Sequence, residues 1–271
     1  MGIRTNSTQM FPPDGLCEYL FYDSLYKEGR NTFDAPDQFD TNLRTFVDIA
    51  PTYKTTAFGI GFSYNSAFHL QFYLRQQVTK KFNVMQHFWD HSIYHIGVLD
   101  SATVDPREVD IVPALNCLKT TAAESIVRLS GLKLKSALSV TLSGHLAVLT
   151  DPKNRGFLAP CMTNNSVDSF ASYAEVCKSP NYTSPATYDP SVDAAQFRHA
   201  IEPIVFSYDD RKGLNKKLCA IKEEHTITKF GIAVFDVDYA DFSNVCKSRG
   251  GPFARLRLVR SVLNFFRTRV T

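Results

Sequence analysis

Two rhythms of apolar and polar positions alternate along the chain. Short, nearly unbroken apolar runs recur: Leu16-Cys-Glu-Tyr-Leu-Phe-Tyr after a Pro-Pro-Asp-Gly turn at 12–15, Ala57-Phe-Gly-Ile-Gly-Phe, Ile93 to Leu99, Ile204-Val-Phe-Ser-Tyr and Phe230-Gly-Ile-Ala-Val-Phe. Runs of this length bounded by turn signals predict strands, and unbroken ones predict strands covered on both faces. Between them apolar groups fall at helical spacing, at 43, 46, 47 and 50, then over 66–89, 107–129 and 211–223, the third entered at Asp105-Pro106. A further strand is expected somewhere in 138–149, whereas 150–200, rich in Pro, Asn, Ser and Tyr, reads as irregular. The closing segment sets Leu256, Val259, Leu263, Phe266 and Val270 on one helical face and Arg260 and Arg267 elsewhere, the pattern of a helix covering a sheet.

Repeated strand–helix units predict an α/β fold with a parallel sheet, and 271 residues suit one (β/α)8 barrel domain over 1–271. Asp236, Asp238 and Asp241 follow the last apolar run. Acids at the carboxyl ends of strands are where parallel α/β folds place chemistry, but a polar strand end running into a loop has the same spacing.

Composition narrows the function. A chain that is 44% hydrophobic and 21% charged can bury a sizeable core. Its net charge of +3, without basic patches interleaved with aromatics, gives no reason to expect nucleic acid as a partner. No apolar stretch reaches the roughly eighteen residues of a spanning helix, so no membrane span is expected. Three Asn-x-Ser/Thr sequons (Asn6, Asn164, Asn181) and six cysteines point instead to an exported, glycosylated chain whose signal has been removed or lies upstream.

The stretch "IVFSYDDRKGLNKKLCAIKEEHTITKFGIAVFDVDYADFSNVC" resembles the closing part of the family-18 glycoside hydrolases, the chitinases and chitinase-like lectins. In that family a Tyr-Asp-Asp precedes a helix carrying Lys, and the next strand ends in Trp-x-x-Asp-x-Asp-Asp-Phe. Tyr208-Asp209-Asp210, then Lys216 or Lys217, then Phe235, Asp238, Asp241 and Phe242 take these places. "LCEYLFYDS" is similar to the Leu-Cys-Thr-His strand early in the family's barrel. "PPDGLCEYLFYDSLYKEGR" and "APC…EVCK" look most like the divergent chitinase-like secretory proteins of arthropods.

The resemblance implies a closed barrel whose first strand, if present, is degenerate, since sixteen polar and proline-bearing residues precede Cys17. It implies a groove that takes an N-acetylglucosamine-containing glycan such as chitin, with Phe235 in place of the family's floor tryptophan as a stacking platform. Tyr208, Asp209 and Asp238 are the expected polar partners of the sugar. Catalysis in the family needs a general acid closing an Asp-x-x-Asp-x-Asp-x-Glu run, which this chain does not contain. Loss of a general acid removes about two to four orders of magnitude in rate, so hydrolysis is not expected. The residual candidates for a relocated acid are Asp100, after "IYHIGVL", and Asp241. Recruitment of the barrel to bind an extracellular protein is the other use open to such a scaffold.

Two disulfides are expected, Cys161–Cys177 across a short loop and Cys219–Cys246 between a helix and the loop after the last strand, leaving Cys17 and Cys117. His87, His91 and His95 recur every fourth residue, but His95 falls in a predicted strand, which breaks the helical spacing a zinc site needs. Neither a metal nor any other cofactor is expected.

Overall fold

A computed structural model describes residues 1–2, 4–62, 69, 85–98, 137–162, 169–224 and 231–269. The chain divides into two compact units, Met1–Asp100 with Asp236–Asp238, and Ser101–Phe235 with Tyr239–Thr271. The expected helix over 107–129, with Cys117 on it, lies outside the described residues.

The first unit is built on three parallel strands in the order β1 (Tyr19–Leu25), β2 (Ala57–Phe62) and β3 (Ile93–Val98), close to the bounds that the apolar runs predict. Helix α1 (Thr41–Ile49) connects β1 to β2 and buries Leu43, Phe46 and Val47, one stripe at helical spacing. It starts where it does because Asp40 accepts a hydrogen bond from the Leu43 amide at 2.8 Å. Asn31 fixes that cap in turn: its Nδ2 donates to the Asp40 carboxylate and its Oδ1 accepts from the Asp40 amide, both at 2.9 Å. Helix α2 (Gln86–Asp90) sets Phe88 among Phe33 and Phe39, completing an aromatic core with Phe46, Phe58 and Phe62. His95 lies on β3, as the sequence predicts.

A second capping carboxylate anchors the start of β2. Asp14 accepts from the amides of Lys54, Thr55 and Thr56, which hold its carboxyl at about 2. A depressed carboxyl contributes stability that is fully present above the unfolded value of 3.8 and is lost as pH falls through the folded one. The difference in melting temperature between the wild type and Asp14→Asn should therefore be constant above about pH 5 and shrink steadily below it. A difference that grows on acidification would contradict this assignment.

The second unit holds two sheets. Strands β4 (Ala137–Thr141) and β10 (Gly231–Phe235) pair in parallel. A five-stranded antiparallel sheet runs in the order β6-β5-β9-β8-β7, from β5 (Gly144–Val148), β6 (Ser169–Ala171), β7 (Thr187–Asp189), β8 (Ala194–Arg198) and β9 (Ile204–Tyr208). This corrects two expectations. Within the region 150–200, residues 169–198 are not irregular, and β9 is not a member of a parallel sheet. Short connections between β7, β8 and β9 leave no room for a crossover helix, so these strands must run antiparallel. The expected strand within 138–149 is two strands, β4 and β5, broken at Leu142-Ser143. Among the described residues no strand pairing joins the three sheets into one closed barrel.

Among the described residues three helices pack in this unit: α3 (Tyr173–Lys178), α4 (Arg211–Glu224) and α5 (Ala254–Arg269). Helix α3 begins with a capping box, Ser172 accepting from the Ala174 amide and Glu175 reaching back to the Ser172 amide. Leu214 and Leu218 of α4 interlock with Val259 and Val262 of α5 over Val140, Ile232 and Val234. Helix α5 thus covers β4 and β10 on the apolar face predicted from its sequence. Gly213 is required where α4 passes the Asp193 carbonyl, because any Cβ there would collide with it. No described helix is long and apolar enough to cross a membrane.

The disulfide pattern also differs from the expected one. Cys177 is bonded to Cys246, with Cα atoms 5.8 Å apart, and not to Cys161; Cys246 is therefore not bonded to Cys219. The antiparallel sheet explains why. Cys161 bridges to Leu149 just beyond one end of β5, while Ala171, which leads into α3 and Cys177, pairs with Gly144 at the other end. Five residues of strand span about 16 Å, far beyond the reach of a disulfide.

Candidate functional site

The carboxyl ends of β4 and β10 lie in register, with Phe235 opposite Thr141 and the Leu142 amide donating to the Phe235 carbonyl at 3.1 Å. Phe235 is half-buried, so part of its ring is open to solvent. The Thr141 and Ser143 hydroxyls are 2.7 Å apart. Arg255 reaches this corner from α5. Its guanidinium donates to the Leu142 carbonyl at 2.7 Å and to the Asp209 carbonyl at 3.2 Å, tying the end of β4 to the end of β9. It lies 5.5 Å and 5.7 Å from the ring centroids of Tyr173 and Tyr208, within cation–π range. Burial lowers the Arg255 pKa, but a guanidinium keeps its proton, so the corner carries a fixed buried cation.

Each member of Tyr208-Asp209-Asp210 has a distinct place. Tyr208 is buried in an aromatic stack with Phe197, Phe206 and Tyr173, and burial raises its hydroxyl pKa. Its ring faces are therefore occupied. Asp209 forms an ion pair with Lys217 at 2.6 Å, both side chains remaining about a quarter exposed. Asp210 caps α4, accepting from the Gly213 amide at 2.7 Å. Lys216, the other candidate for the motif's lysine, pairs with Asp193 at 2.9 Å instead.

Two of the three acids after β10 accept hydrogen bonds from backbone amides. Asp236 takes a left-handed conformation, φ 54°, one that aspartate tolerates. Asp238, in the first unit, is buried and accepts from the Arg4 amide at 3.3 Å. Asp241, in the second, is buried with its two carboxylate oxygens accepting from the Val245 and Cys246 amides at 2.9 and 3.0 Å. Asp100 and the sequon Asn164 lie outside the described residues, whereas Asn6 and Asn181 are exposed.

One surface escapes the sequence reading altogether. The antiparallel sheet buries Leu146, Phe206 and Phe197 on one face, and its pairing register places Phe170, His145, Ser207, Gln196 and Thr187 in one row across the other. Phe170 is 60% exposed and meets the His145 ring edge-on at 5.5 Å. An open aromatic ring beside an imidazole and a hydroxyl has the chemistry a pyranose uses, with its C–H face stacking and its hydroxyls hydrogen-bonding, whereas Gln196 in the same row is buried. The strands of this sheet carry little local signal: Ala194–Arg198 buries three successive residues and does not alternate. Among the described residues no three His, Cys, Asp or Glu side chains come together to hold a metal ion.

No family model matches the chain, and no curated protein matches it in sequence. Solved structures do match over nearly its whole length. An immunomodulatory active chitinase from Trichuris suis shares 13% identity at a TM-score of 0.57, covering 96% of this chain and 95% of that one. A plant class V chitinase mutant from Cycas revoluta, solved with (GlcNAc)3, shares 12% at 0.51, covering 96% and 95%. Human YKL-39, described as a pseudo-chitinase with retained chitooligosaccharide binding properties, shares 11% at 0.50, covering 95% and 94%. At these identities the likeness is one of fold.

Proposed function

We propose that this chain is a secreted, glycosylated chitinase-like protein of the divergent arthropod secretory type, a single (β/α)8 barrel domain that binds an N-acetylglucosamine-containing glycan without hydrolysing it. The observation that carries the reading is a fold matching chitinases end to end in a chain that lacks their Asp-x-x-Asp-x-Asp-x-Glu run. Glycan binding is supported by the solved relatives described with chitooligosaccharides and by the open aromatics at the ends of the second unit's strands. In this reading Phe235 stacks on a sugar ring, Asp209 accepts from its hydroxyls, and Tyr208 holds Arg255 and the end of β9 in place; Asp238, buried on the Arg4 amide in the first unit, serves the fold instead. One of the two remaining acids supports silence. Asp241 has both oxygens committed to backbone amides, a poor arrangement for a group that must carry and deliver a proton.

Calorimetric titration with N-acetylglucosamine oligomers tests the binding, beside assays of a fluorogenic chito-oligosaccharide for turnover. Saturable binding without turnover is expected. Phe235→Ala should weaken it at least about fivefold, the loss of roughly 1 kcal/mol of ring stacking. Turnover abolished by Asp100→Asn or Asp241→Asn would replace this reading with an active hydrolase. No heat with either protein would leave the barrel as a scaffold for an extracellular protein partner.

A further inference from the structure

His87, His91 and His95 would share one metal ion only on an unbroken helix, and the structure divides them. Ser92, left-handed at φ 62°, separates α2 from β3, and His95 is carried away to meet the Tyr19 ring edge-on at 5.0 Å. The first two stay together. His87 lies inside α2 and His91 caps its end, with the two half-buried rings on one side and their centroids 4.8 Å apart. The His91 amide donates to the Phe88 carbonyl at 3.1 Å, in a tightened last turn, which leaves the His87 carbonyl to another donor. The His91 ring is that donor: its Nδ1 lies 2.7 Å from the His87 carbonyl oxygen. A carbonyl only accepts, so Nδ1 carries the proton and Nε2 keeps its lone pair.

We propose that His87 and His91 form a chelate site for one late divalent transition-metal ion, with Cu²⁺ bound ahead of Ni²⁺ and Zn²⁺. Two imidazoles on a shared ion, each bonded at about 2.1 Å, bring their centroids about 5 Å apart, so the pair needs little rearrangement. An Nδ1–H held by a backbone carbonyl is also the contact that orients a ligating imidazole and raises the basicity of its other nitrogen. Capping the helix and holding the ion use different nitrogens of His91, so one does not exclude the other. The His87 ring is fixed from its other side, edge-on to Phe39 at 5.5 Å and to Phe88 at 5.8 Å, which reduces the rotamer freedom that binding must remove. Burial, and after it the neighbouring His91, lowers the His87 pKa and favours the neutral form that a metal requires. Asp90 and Asp48 lie close enough to act on the His87 ring electrostatically, and a bound cation gains from both charges. Imidazole nitrogen selects late transition metals over Mg²⁺ and Ca²⁺, and affinity among them peaks at Cu²⁺. Two protein ligands leave the other coordination positions to water. The site belongs to the first unit, whereas Phe235 and Phe170 belong to the second.

Trp89 is a built-in reporter. It is the chain's only tryptophan, is 41% exposed and stands two residues from each histidine, within about 10 Å of the ion. Cu²⁺ quenches indole emission at such distances and Zn²⁺ does not, so CuCl₂ is the probe and ZnCl₂ its competitor. The full chain is titrated with its accessible thiols alkylated, because exposed Cys161 would otherwise compete for the ion. Saturable quenching by one equivalent of Cu²⁺ is expected, reversed by excess Zn²⁺, with an electron paramagnetic resonance spectrum showing two nitrogen ligands. His91→Asn keeps a side-chain N–H for the His87 carbonyl but has no second nitrogen. His87→Phe keeps a ring against Phe39 and Phe88 but has none at all. Each should bind Cu²⁺ at least about tenfold more weakly, because losing one arm removes the effective concentration that the other supplies. His95→Asn and His199→Asn should titrate as the wild type does. The proposal is overturned if quenching of the wild type does not saturate, if His91→Asn binds as tightly as the wild type, or if His95→Asn weakens binding equally.

Discussion

Replacing Cys177 and Cys246 together by serine should cost the folded state about 4 kcal/mol. The bond closes a loop of sequence separation 69, and the chain-entropy cost of opening a loop of that size in the unfolded state is about 4 kcal/mol. It joins the last turn of α3 to the loop after β10, two segments that also meet where the Ser172 hydroxyl donates to the Tyr239 carbonyl. Opening it also loosens the turn in which Asp241 holds the Val245 and Cys246 amides. Urea unfolding followed by circular dichroism is the measurement, with a fall in midpoint of more than about 1 M expected for the double variant. Reduction of the wild type should reproduce most of that shift. A change of less than about 1 kcal/mol would mean that the two segments are held together by packing alone.

The parallel strands were legible because each is a compact apolar run; β1, β2 and β3 fall close to where the runs predict, and α1 follows its stripe at 43, 46 and 47. The antiparallel sheet was not, for a physical reason. Its strands β6 and β7 are three residues long and β8 is rich in small residues, so no apolar run marks them. What stabilises them is cross-strand pairing and a shared aromatic layer, neither of which is local in sequence. The disulfide was misassigned through the same gap, since the separation of Cys161 from Cys177 is set by the length of β5. Around the candidate site, the Tyr-Asp-Asp motif was visible, but the division of labour within it was not: spacing does not distinguish an acid that caps a helix, as Asp210 does, from one paired to a lysine, as Asp209 is. Arg255 was hidden because it interrupts an otherwise apolar helical face, and its partners are backbone carbonyls more than forty residues away in sequence.

Phe206→Ala should be about as damaging as loss of the disulfide, at about 3–5 kcal/mol and toward the upper end. The ring is fully buried at the centre of β9, within 6.4 Å and 5.5 Å, centroid to centroid, of Phe197 and Tyr208. Its edge lies over Gly144, where even a Cβ would collide with it. The cost of a large-to-small change depends on whether neighbours can collapse into the space. One wall here is the backbone of β5, pinned in register to β9 and β6, so collapse is restricted. Phe206→Leu should cost much less, because it leaves a smaller void against the same wall. The consequence extends beyond stability, since β9 delivers Tyr208 and the Asp209 carbonyl to Arg255. Below the melting transition, Phe206→Ala should therefore also weaken binding of N-acetylglucosamine oligomers, through disorder at that corner and without removal of any group that touches sugar. A loss under about 1.5 kcal/mol, with binding intact, would show that the aromatic layer does not organise the end of β9 and that Arg255 is positioned by α5 alone.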